Sequence, residues 1–263
     1  MISELTQLAI KAAIEASKDI LTIYKSADFE IENKEDYSPI TKADKVAHKI
    51  IASILQESKI PILSEEGKKI PYEVRKCWDM LWIVDPIDGT KEFIKRNGEF
   101  TVNIALIENH KPVIGVILVP DSGMLYFSEK NLGAFKSMIN TDFFNLENVF
   151  REAQPLPLKE KSQIFTVVAS RSHLSKETEI YLQNLRTEHG GIKLISKGSS
   201  LKLCMVAEGK ANCYPRFAPT MEWDTAAGQA ICEAAGFQVI DFKTKKPMKY
   251  NREQLLNNWF IVL

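Results

Sequence analysis

The sequence has no excess charge of either sign and no long apolar run. Its 263 residues carry 34 basic and 34 acidic side chains, so the net charge gives no reason to expect nucleic acid as a partner. No apolar stretch approaches the roughly 18 residues of a membrane-spanning helix, and the first residues do not resemble a secretory signal. We therefore expect a cytoplasmic protein without a transmembrane segment, and we leave a peripheral membrane contact and a homodimer open.

Cysteine and histidine are also scarce, with four residues of each in the whole chain. No two cysteines form a CxxC pair and the histidines are scattered, so a zinc site is not expected. Free thiols fit a reducing compartment. Each of the four cysteines is expected to be a small buried apolar side chain; they are Cys77, Cys204, Cys213 and Cys232.

Hydrophobic periodicity predicts an α/β protein built from layers of helix and sheet. The continuous apolar run Met80–Val84 is typical of a strand covered on both faces. The chain is predicted to form one domain (1–263) of two tightly joined halves, about 1–145 and about 160–263. The polar stretch 140–161, which contains two prolines, is interpreted as a loop or as the seam between these halves. Helices are predicted at 3–25, 42–57, 176–188, 201–208 and 225–235, and strands at 60–63, 80–84, 100–108, 113–119, 124–127, 165–169, 192–195, 211–215, 237–241 and 259–263.

The most informative motif is Asp85-Pro86-Ile87-Asp88-Gly89-Thr90, directly after the apolar strand. Two carboxylates this close repel each other unless a cation lies between them. Oxygen ligands without histidine or cysteine favour Mg²⁺ first and Mn²⁺ second. Gly89 permits a backbone geometry that lets a phosphate approach closely, and Thr90 is predicted to cap a short helix over 91–96.

Three further segments carry carboxylates near the ends of predicted elements. They are Ser64-Glu65-Glu66-Gly67, Asp44 in Thr41-Lys42-Ala43-Asp44, and Glu222-Trp223-Asp224 just before a predicted helix. Each has an ordinary explanation when taken alone. Glu65 and Glu66 could be a solvated pair, Asp44 an exposed helix residue and Asp224 a helix N-cap. The six-residue motif could equally be a turn. It is the joint occurrence of the four segments that indicates a metal site.

Together these segments resemble the inositol monophosphatase superfamily of lithium-sensitive, Mg²⁺-dependent phosphatases. That superfamily carries a Glu-Glu pair, an Asp-Pro-Ile/Leu-Asp-Gly-Thr segment and a later Trp-Asp segment, and all three occur here in that order. The resemblance implies an αβαβα fold. The stretches that are similar to the 3'(2'),5'-bisphosphate nucleotidases of the CysQ type, which act in sulfur metabolism, are 38–44, 63–66, 169–173, 198–202 and 218–228.

This resemblance implies an activity and a role for individual residues. The activity is hydrolysis of a small phosphorylated nucleotide, adenosine 3',5'-bisphosphate, to AMP and phosphate by attack of an activated water. The alternatives are an inositol monophosphatase and a non-catalytic protein with a structural cation. Two or three Mg²⁺ ions would be bound by Glu65, Asp85, the carbonyl of Ile87, Asp88 and Asp224. Asp44 and Thr90 would orient and deprotonate the water, and the amides of Gly89 and Thr90 would hold the scissile phosphate.

The rest of the substrate needs partners outside the acidic cluster. The candidates are Ser170, Arg171, His173, Ser199, Lys202, Arg216 and Asp224. Ser199 is expected to begin a helix whose first amides favour an anion. The ordinary alternatives are a solvated helix residue for Lys202, a surface ion pair for Arg216 and a packed histidine for His173.

Overall fold

A computed structural model describes residues 2–26, 29, 32–33, 39–140, 144–158, 164–170 and 175–263. Its helices are α1 Glu4–Lys25, α2 Lys42–Leu55, α3 Tyr72–Arg75, α4 Thr90–Ile94, α5 Leu146–Arg151, α6 Lys176–Glu188, α7 Leu201–Ala207 and α8 Glu222–Ala234. Its strands are β1 Glu32–Asn33, β2 Pro39–Ile40, β3 Ile62–Ser64, β4 Met80–Asp88, β5 Thr101–Glu108, β6 Lys111–Val119, β7 Met124–Glu129, β8 Gly133–Met138, β9 Gln154–Leu156, β10 Thr166–Ser170, β11 Lys193–Lys197, β12 Tyr214–Arg216, β13 Val239–Asp241 and β14 Phe260–Val262.

Seven strands form the large sheet, in the order β3-β4-β5-β6-β7-β8-β9. Only β3 and β4 are parallel, and every other neighbouring pair is antiparallel. The turn from β5 to β6 passes through Asn109 and His110, whose φ angles are 49° and 65°. Two consecutive positive φ angles match the twist of a tight hairpin. Strands β5, β6 and β7 are therefore consecutive antiparallel neighbours.

Helices cover both faces of this sheet. On β4, Trp82 and Val84 pack into the core with α1 and α2, whereas Leu81 and Ile83 pack into a second core with α7 and α8. Successive side chains of a strand point to opposite faces, which explains why the run 80–84 is apolar throughout. The prediction of a strand buried on both sides is confirmed.

Beyond α7 and α8 lie the smaller sheets and then α6. The parallel pair β10-β11 and the antiparallel set β12-β14-β13 are joined by a bridge between Val167 and Cys213. Leu182 and Leu185 of α6 pack against these two bridging residues. The resulting succession of helix, sheet, helix, sheet and helix layers confirms the αβαβα fold. Within the described part of the chain, no helix combines the length and apolarity needed to cross a bilayer.

Two glycines bring α8 close to its neighbours. A Cβ on Gly115 of β6 would lie 2.4 Å from the carbonyl oxygen of Ala227, and a Cβ on Gly228 would lie 2.4 Å from Cδ1 of Leu203 in α7. Real side chains do not approach this closely, so only glycine fits at either position. The depth at which α8 sits between the sheet and α7 depends on both glycines.

The interpretation of residues 140–161 as a loop is wrong where the structure describes them. This stretch contains α5 and β9, and β9 pairs with β8 at the edge of the large sheet. A proline such as Pro155 is tolerated there because an edge strand needs no hydrogen bonds on its outer side. Strand β8 was not predicted at all. The expectation for the cysteines holds for three of the four, since Cys77 is exposed.

Candidate active site

The site is built around the end of β4, where Asp85 and Asp88 leave the sheet. Register with β5 shifts between these two residues, so that Asp85 lies opposite Asn103 and Asp88 opposite Thr101. The amide of Ile87 donates to Oδ1 of Asp85 at 3.1 Å, which stabilises the irregular backbone. Carboxylate oxygens of Asp85, Asp88 and Asp224 lie within 4.8 Å of one another. Three of the four predicted carboxylate ligands therefore meet at one point.

Asp224 reaches this point from the first turn of α8. The ordinary alternative, that Asp224 is only an N-cap, is wrong, because the helix begins at Glu222 and Asp224 is its third residue. Oδ2 of Asp224 accepts the amide of Met221 at 2.8 Å. A carboxylate in the first turn also interacts favourably with the helix dipole. The bond to Met221 leaves the other oxygen of Asp224 available to a ligand.

The C-terminal segment holds the beginning of α8 in place. Glu222 is completely buried, and its Oε2 accepts the amide of Asn251 at 2.6 Å. The amide of Glu222 donates to the carbonyl of Leu255 at 3.0 Å. Asn257 Nδ2 donates to the carbonyl of Met221 at 2.7 Å. Residues 251–257 thus fix the turn that carries Asp224.

The clustered carboxylates have strongly altered acidities. Burial raises the pKa of Asp85 well above its usual value, and Glu65, Asp88 and Asp224 raise it further. Burial, followed by the charge of Asp88, raises the pKa of Asp224 to about 8. Protons or a cation must therefore offset the repulsion. Three converging carboxylates without histidine or cysteine suit a hard divalent cation, so the residues present fit a Mg²⁺ site.

Asp44 and Thr90 lie next to each other, as expected from the resemblance. Oδ2 of the buried Asp44 accepts the amide and the hydroxyl of Thr41 at 2.8 and 2.6 Å. Oδ1 is 3.4 Å from the hydroxyl of Thr90, which is also 3.4 Å from the carbonyl of Ile87. The predicted capping role of Thr90 is wrong, since Gly89 is the N-cap of α4 and Thr90 is its first residue. Burial raises the pKa of Asp44 to about 6.

A polar network that the sequence analysis missed surrounds Asp88. Its Oδ2 accepts the hydroxyls of Ser199 and Ser200 at 2.7 and 2.8 Å and lies 3.5 Å from Nδ2 of Asn103. Asn103 also donates to Ser200 Oγ at 2.8 Å, and the hydroxyl of Thr101 is 2.6 Å from that of Ser199. Thr101 and Asn103 are two residues apart on one face of the buried strand β5. Polar residues two positions apart in an otherwise apolar strand are the sequence signal that could have indicated this network.

Ser199 does not begin a helix, contrary to the prediction. Helix α7 starts at Leu201, and Ser199 has a φ of 51°, in the left-handed region that non-glycine residues seldom occupy. Its hydroxyl bonds to Asp88 and Thr101 stabilise this conformation. Lys202 adds to the support because its Nζ donates to the carbonyl of Ser199 at 2.6 Å.

Asp88 and Asp224 line a cavity of ≈ 590 Å³ whose wall also contains the cationic side chains of Lys91, Lys197, Lys202 and Arg216. Lys202 is only 6% exposed, so it is not a solvated helix residue, and its burial lowers its pKa to about 8. Arg216 is partly buried, and its Nη2 donates to the carbonyl of Pro219 at 3.0 Å rather than to a carboxylate. The cavity therefore combines carboxylates with four cationic side chains, which suits an anionic ligand held beside a metal.

Other predicted residues lie around the same cavity or outside the described residues. Glu65, Gly89, Thr90 and Ser199 line the cavity. Gly89 has a φ of 91°, which favours glycine. Glu65 is not among the three carboxylates within 4.8 Å, although its charge raises the pKa of Asp85. Ser170 ends β10, and Arg171 and His173 lie outside the described residues.

Known proteins are similar to this chain over its whole length. A 3'(2'),5'-bisphosphate nucleotidase CysQ of Salmonella typhimurium is 45% identical, with 100% of this chain and 99% of that protein covered. A crystal structure of CysQ from Bacteroides thetaiotaomicron, described as a bacterial member of the inositol monophosphatase family, is 53% identical with a TM-score of 0.89, covering 98% of this chain and 96% of that one. The extragenic suppressor protein SuhB of Bartonella henselae, at 24% identity and a TM-score of 0.74 over 99% of this chain and 93% of that one, shares the fold. A model of the Inositol monophosphatase family matches residues 1–260. This chain therefore belongs to the inositol monophosphatase family.

Proposed function

We propose that this chain is a metal-dependent phosphatase that converts adenosine 3',5'-bisphosphate to AMP and inorganic phosphate. The convergence of Asp85, Asp88 and Asp224 within 4.8 Å, beside a cavity lined by Asp88, Asp224, Lys202 and Arg216, carries this proposal. The full-length identity to bisphosphate nucleotidases supports the choice of substrate. A cavity lined by several cationic side chains also suits a substrate with two separate phosphates better than one with a single phosphate.

The ligands of the proposed Mg²⁺ ions are Glu65, Asp85, the carbonyl of Ile87, Asp88 and Asp224. Two or three ions are proposed, with Mn²⁺ as a substitute. When bound, they would supply Lewis-acid stabilisation of the phosphoryl group and of the attacking water. Oδ2 of Asp88 is occupied by serine hydroxyls, so its other oxygen is the one proposed to face the metal.

Asp44 is proposed as the group that accepts the proton from the attacking water, either directly or by way of the hydroxyl of Thr90. Oδ2 of Asp44 is held by two bonds from Thr41, which fixes the direction of Oδ1 towards Thr90. A pKa of about 6 keeps this carboxyl ionised at neutral pH while leaving it basic enough to accept a proton. The reaction would be a direct in-line displacement, without a covalent phosphoenzyme.

Lys202 and Arg216 are proposed to stabilise the second phosphate, and the amides of Gly89 and Thr90 the scissile one. The cavity position of these residues supports the assignment. Substrate contacts of Ser170, Arg171, His173 and Ser199 stay predictions. We further propose that both halves of the chain act as one unit, because hydroxyls of Ser199 and Ser200 bond to Asp88 from the other half.

The test compares phosphate release from adenosine 3',5'-bisphosphate and inositol 1-phosphate at equal concentration with Mg²⁺. The nucleotide should be the faster substrate, and Asp88→Asn should lower its kcat/KM by on the order of a hundredfold or more. Asp79→Asn is the matched control, because Asp79 is an exposed carboxylate just before the same strand. Faster release from the inositol ester would favour the alternative substrate, and no release from either would reject a phosphatase.

A further inference from the structure

Glu99 is a largely buried carboxylate just before β5 that the proposed chemistry does not use. Its side chain is only 12% exposed. Oε2 of Glu99 accepts the amide of Gly198 at 2.8 Å, and Oε1 accepts the ammonium of Lys197 at 3.1 Å. Hydrogen bonds to a charged acceptor are stronger than those between neutral groups. Glu99 therefore holds the segment that leads into the two serines bonded to Asp88.

The backbone of Glu99 also lies close to two glycines of the site. A Cβ on Gly198 would lie 3.0 Å from the carbonyl oxygen of Glu99 and 3.1 Å from its Cβ. A Cβ on Gly89 would lie 3.2 Å from the same carbonyl oxygen and 3.3 Å from Cβ of Ser199. These separations are tighter than ordinary packing allows, so a side chain at either glycine would displace its neighbours. Glu99 thus lies between the turn at Gly89 and the segment 197–200.

Glu99 is the first of three alternating polar residues that each bond to one residue of this segment. The three contacts pair Glu99 with Gly198, Thr101 with Ser199, and Asn103 with Ser200. Residues two positions apart in extended chain point to the same face, and the intervening Phe100 is completely buried in the core on the other face. Thr101 and Asn103 bond to the serine hydroxyls, whereas Glu99 fixes the backbone from which both serines project.

This backbone needs support from its surroundings. Ser199 has a φ of 51°, a conformation that non-glycine residues adopt only where neighbouring contacts impose it. The bond from the amide of Gly198 to Glu99 fixes the chain just before this residue. Lys202 fixes it from the other side, because its Nζ donates to the carbonyl of Ser199 at 2.6 Å. Without Glu99, the hydroxyl of Ser199 would be free to leave Oδ2 of Asp88, which it contacts at 2.7 Å.

We propose that Glu99 is a positioning residue for the metal site, which acts through the segment 197–200 on the orientation of Asp88. The proposal rests on the metal site proposed above. By keeping Ser199 and Ser200 within bonding distance of Oδ2 of Asp88, Glu99 holds the other oxygen, the proposed metal ligand, in a fixed direction. Groups that orient a ligand from behind change metal affinity by roughly tenfold to a hundredfold. Because Glu99 acts one residue further away, the lower end of this range is expected.

The experiment measures Mn²⁺ affinity by calorimetric titration, without substrate, in the natural protein, Glu99→Ala and Glu99→Gln. Glu99→Ala should weaken binding by about tenfold. Glu99→Gln keeps an oxygen that can accept the amide of Gly198, so its affinity should stay within about threefold of the natural value. Glu108→Ala is the matched control, because Glu108 is an exposed glutamate at the opposite end of β5, and it should leave the affinity unchanged.

Hydrolysis of adenosine 3',5'-bisphosphate at increasing Mg²⁺ concentration provides a second readout. Saturating Mg²⁺ should restore most of the rate that Glu99→Ala loses, because the defect lies in holding the ion. An unchanged Mn²⁺ affinity together with a raised KM for the nucleotide would overturn the proposal. Glu99 would then act only through the charge of Lys197 in the wall of the cavity.

The double variant Glu99→Ala/Ser199→Ala tests the route by which Glu99 acts. Since Glu99 is proposed to act through the serines, the double variant should bind Mn²⁺ about as weakly as Glu99→Ala alone, and fully additive losses would contradict the proposal. If Glu99→Ala does not fold, Glu99→Asp decides, because it keeps the charge on a side chain that is one methylene too short for the amide of Gly198. Natural Mn²⁺ affinity in Glu99→Asp would then overturn the proposal.

Failure of this proposal and failure of the proposed function give different results. Weakened Mn²⁺ binding in Glu99→Ala without hydrolysis of the nucleotide by the natural protein would support the positioning role and reject only the proposed activity. Absence of Mn²⁺ binding in the natural protein would reject the metal site, and with it the role of Glu99.

Discussion

Removing one charge from the acidic cluster should stabilise the metal-free protein. Asp224→Asn is the chosen change, because asparagine keeps an oxygen that can accept the amide of Met221. With an effective dielectric constant of about 20, two unit charges 4.8 Å apart repel each other by about 3.5 kcal/mol. Some of the clustered carboxyl groups are already protonated at neutral pH, and this relieves part of the repulsion. We therefore expect a gain of about 2 kcal/mol at pH 8 in the absence of metal.

The gain should depend on pH with a definite sign. A pKa raised from 3.8 to about 8 means that the folded state binds the proton of Asp224 more tightly than the unfolded state. This proton contributes its full stability below pH 3.8 and loses it as the pH rises through about 8. The natural protein should therefore become less stable between these values, whereas Asp224→Asn should change much less.

Thermal unfolding in EDTA at pH 5 and pH 8 measures the effect. For a chain of this length, roughly 2 kcal/mol corresponds to a rise in Tm of about 4 to 8 °C at pH 8. Adding Mg²⁺ should raise the Tm of the natural protein and leave that of the variant nearly unchanged, since ligand binding stabilises only a protein that binds it. A lower Tm for Asp224→Asn in EDTA at pH 8 would refute the reasoning, because the favourable contacts of the Asp224 carboxylate would then outweigh its repulsion from the other carboxylates.

Three further predictions concern the base, the network around Asp88 and the packing of α8. The kcat/KM of the natural protein should fall below about pH 6 as Asp44 is protonated, and Asp44→Asn should lower it by roughly 10²- to 10⁴-fold at neutral pH. Asn103→Ala should weaken Mn²⁺ binding in calorimetric titrations by about tenfold, because residues behind a ligand orient it. Gly115→Val should lower the free energy of unfolding in urea by about 1 to 3 kcal/mol, because the added side chain would overlap α8.

Each of these predictions has a result that contradicts it. A flat rate between pH 5 and 7 would show that Asp44 does not accept the proton. For Asn103, the control is Asn184→Ala on the exposed face of α6, and equal Mn²⁺ affinity in both variants would remove the network from the metal site. Full stability of Gly115→Val would mean that α8 can move away from the sheet.

The sequence predicts the elements whose local pattern is strong. The run 80–84 is apolar on both faces of β4, so the buried strand and the acidic motif after it could be placed together. Strand β9 is the edge strand of the large sheet and β8 is its neighbour, and both strands mix polar with apolar residues. Because β9 lacks a periodic pattern of apolar residues and contains Pro155, the sequence could not distinguish this strand from a loop.

The parts of the site that the sequence did not predict depend on contacts between distant segments. Asn103 is nearly one hundred positions away from Ser200 in the chain, and no local pattern connects them. The helix starts were predicted one to three residues too late at Asp224 and Thr90, because an acidic or hydroxyl side chain before a helix usually caps it. Here Asp224 accepts the amide of Met221, the N-cap residue of its own helix, and the hydroxyl of Thr90 lies beside the carboxylate of the distant Asp44.

The attachment of residues 251–257 to the start of α8 has a consequence for synthesis of the protein on the ribosome. Asn251, Leu255 and Asn257 all belong to the last thirteen residues of the sequence, and each bonds to the turn that precedes Asp224. The large sheet can be translated and can begin to fold long before these residues emerge from the exit tunnel. The pocket itself is complete only after residues 251–257 have emerged, so a nascent chain that lacks them is a partly folded protein without an assembled catalytic centre.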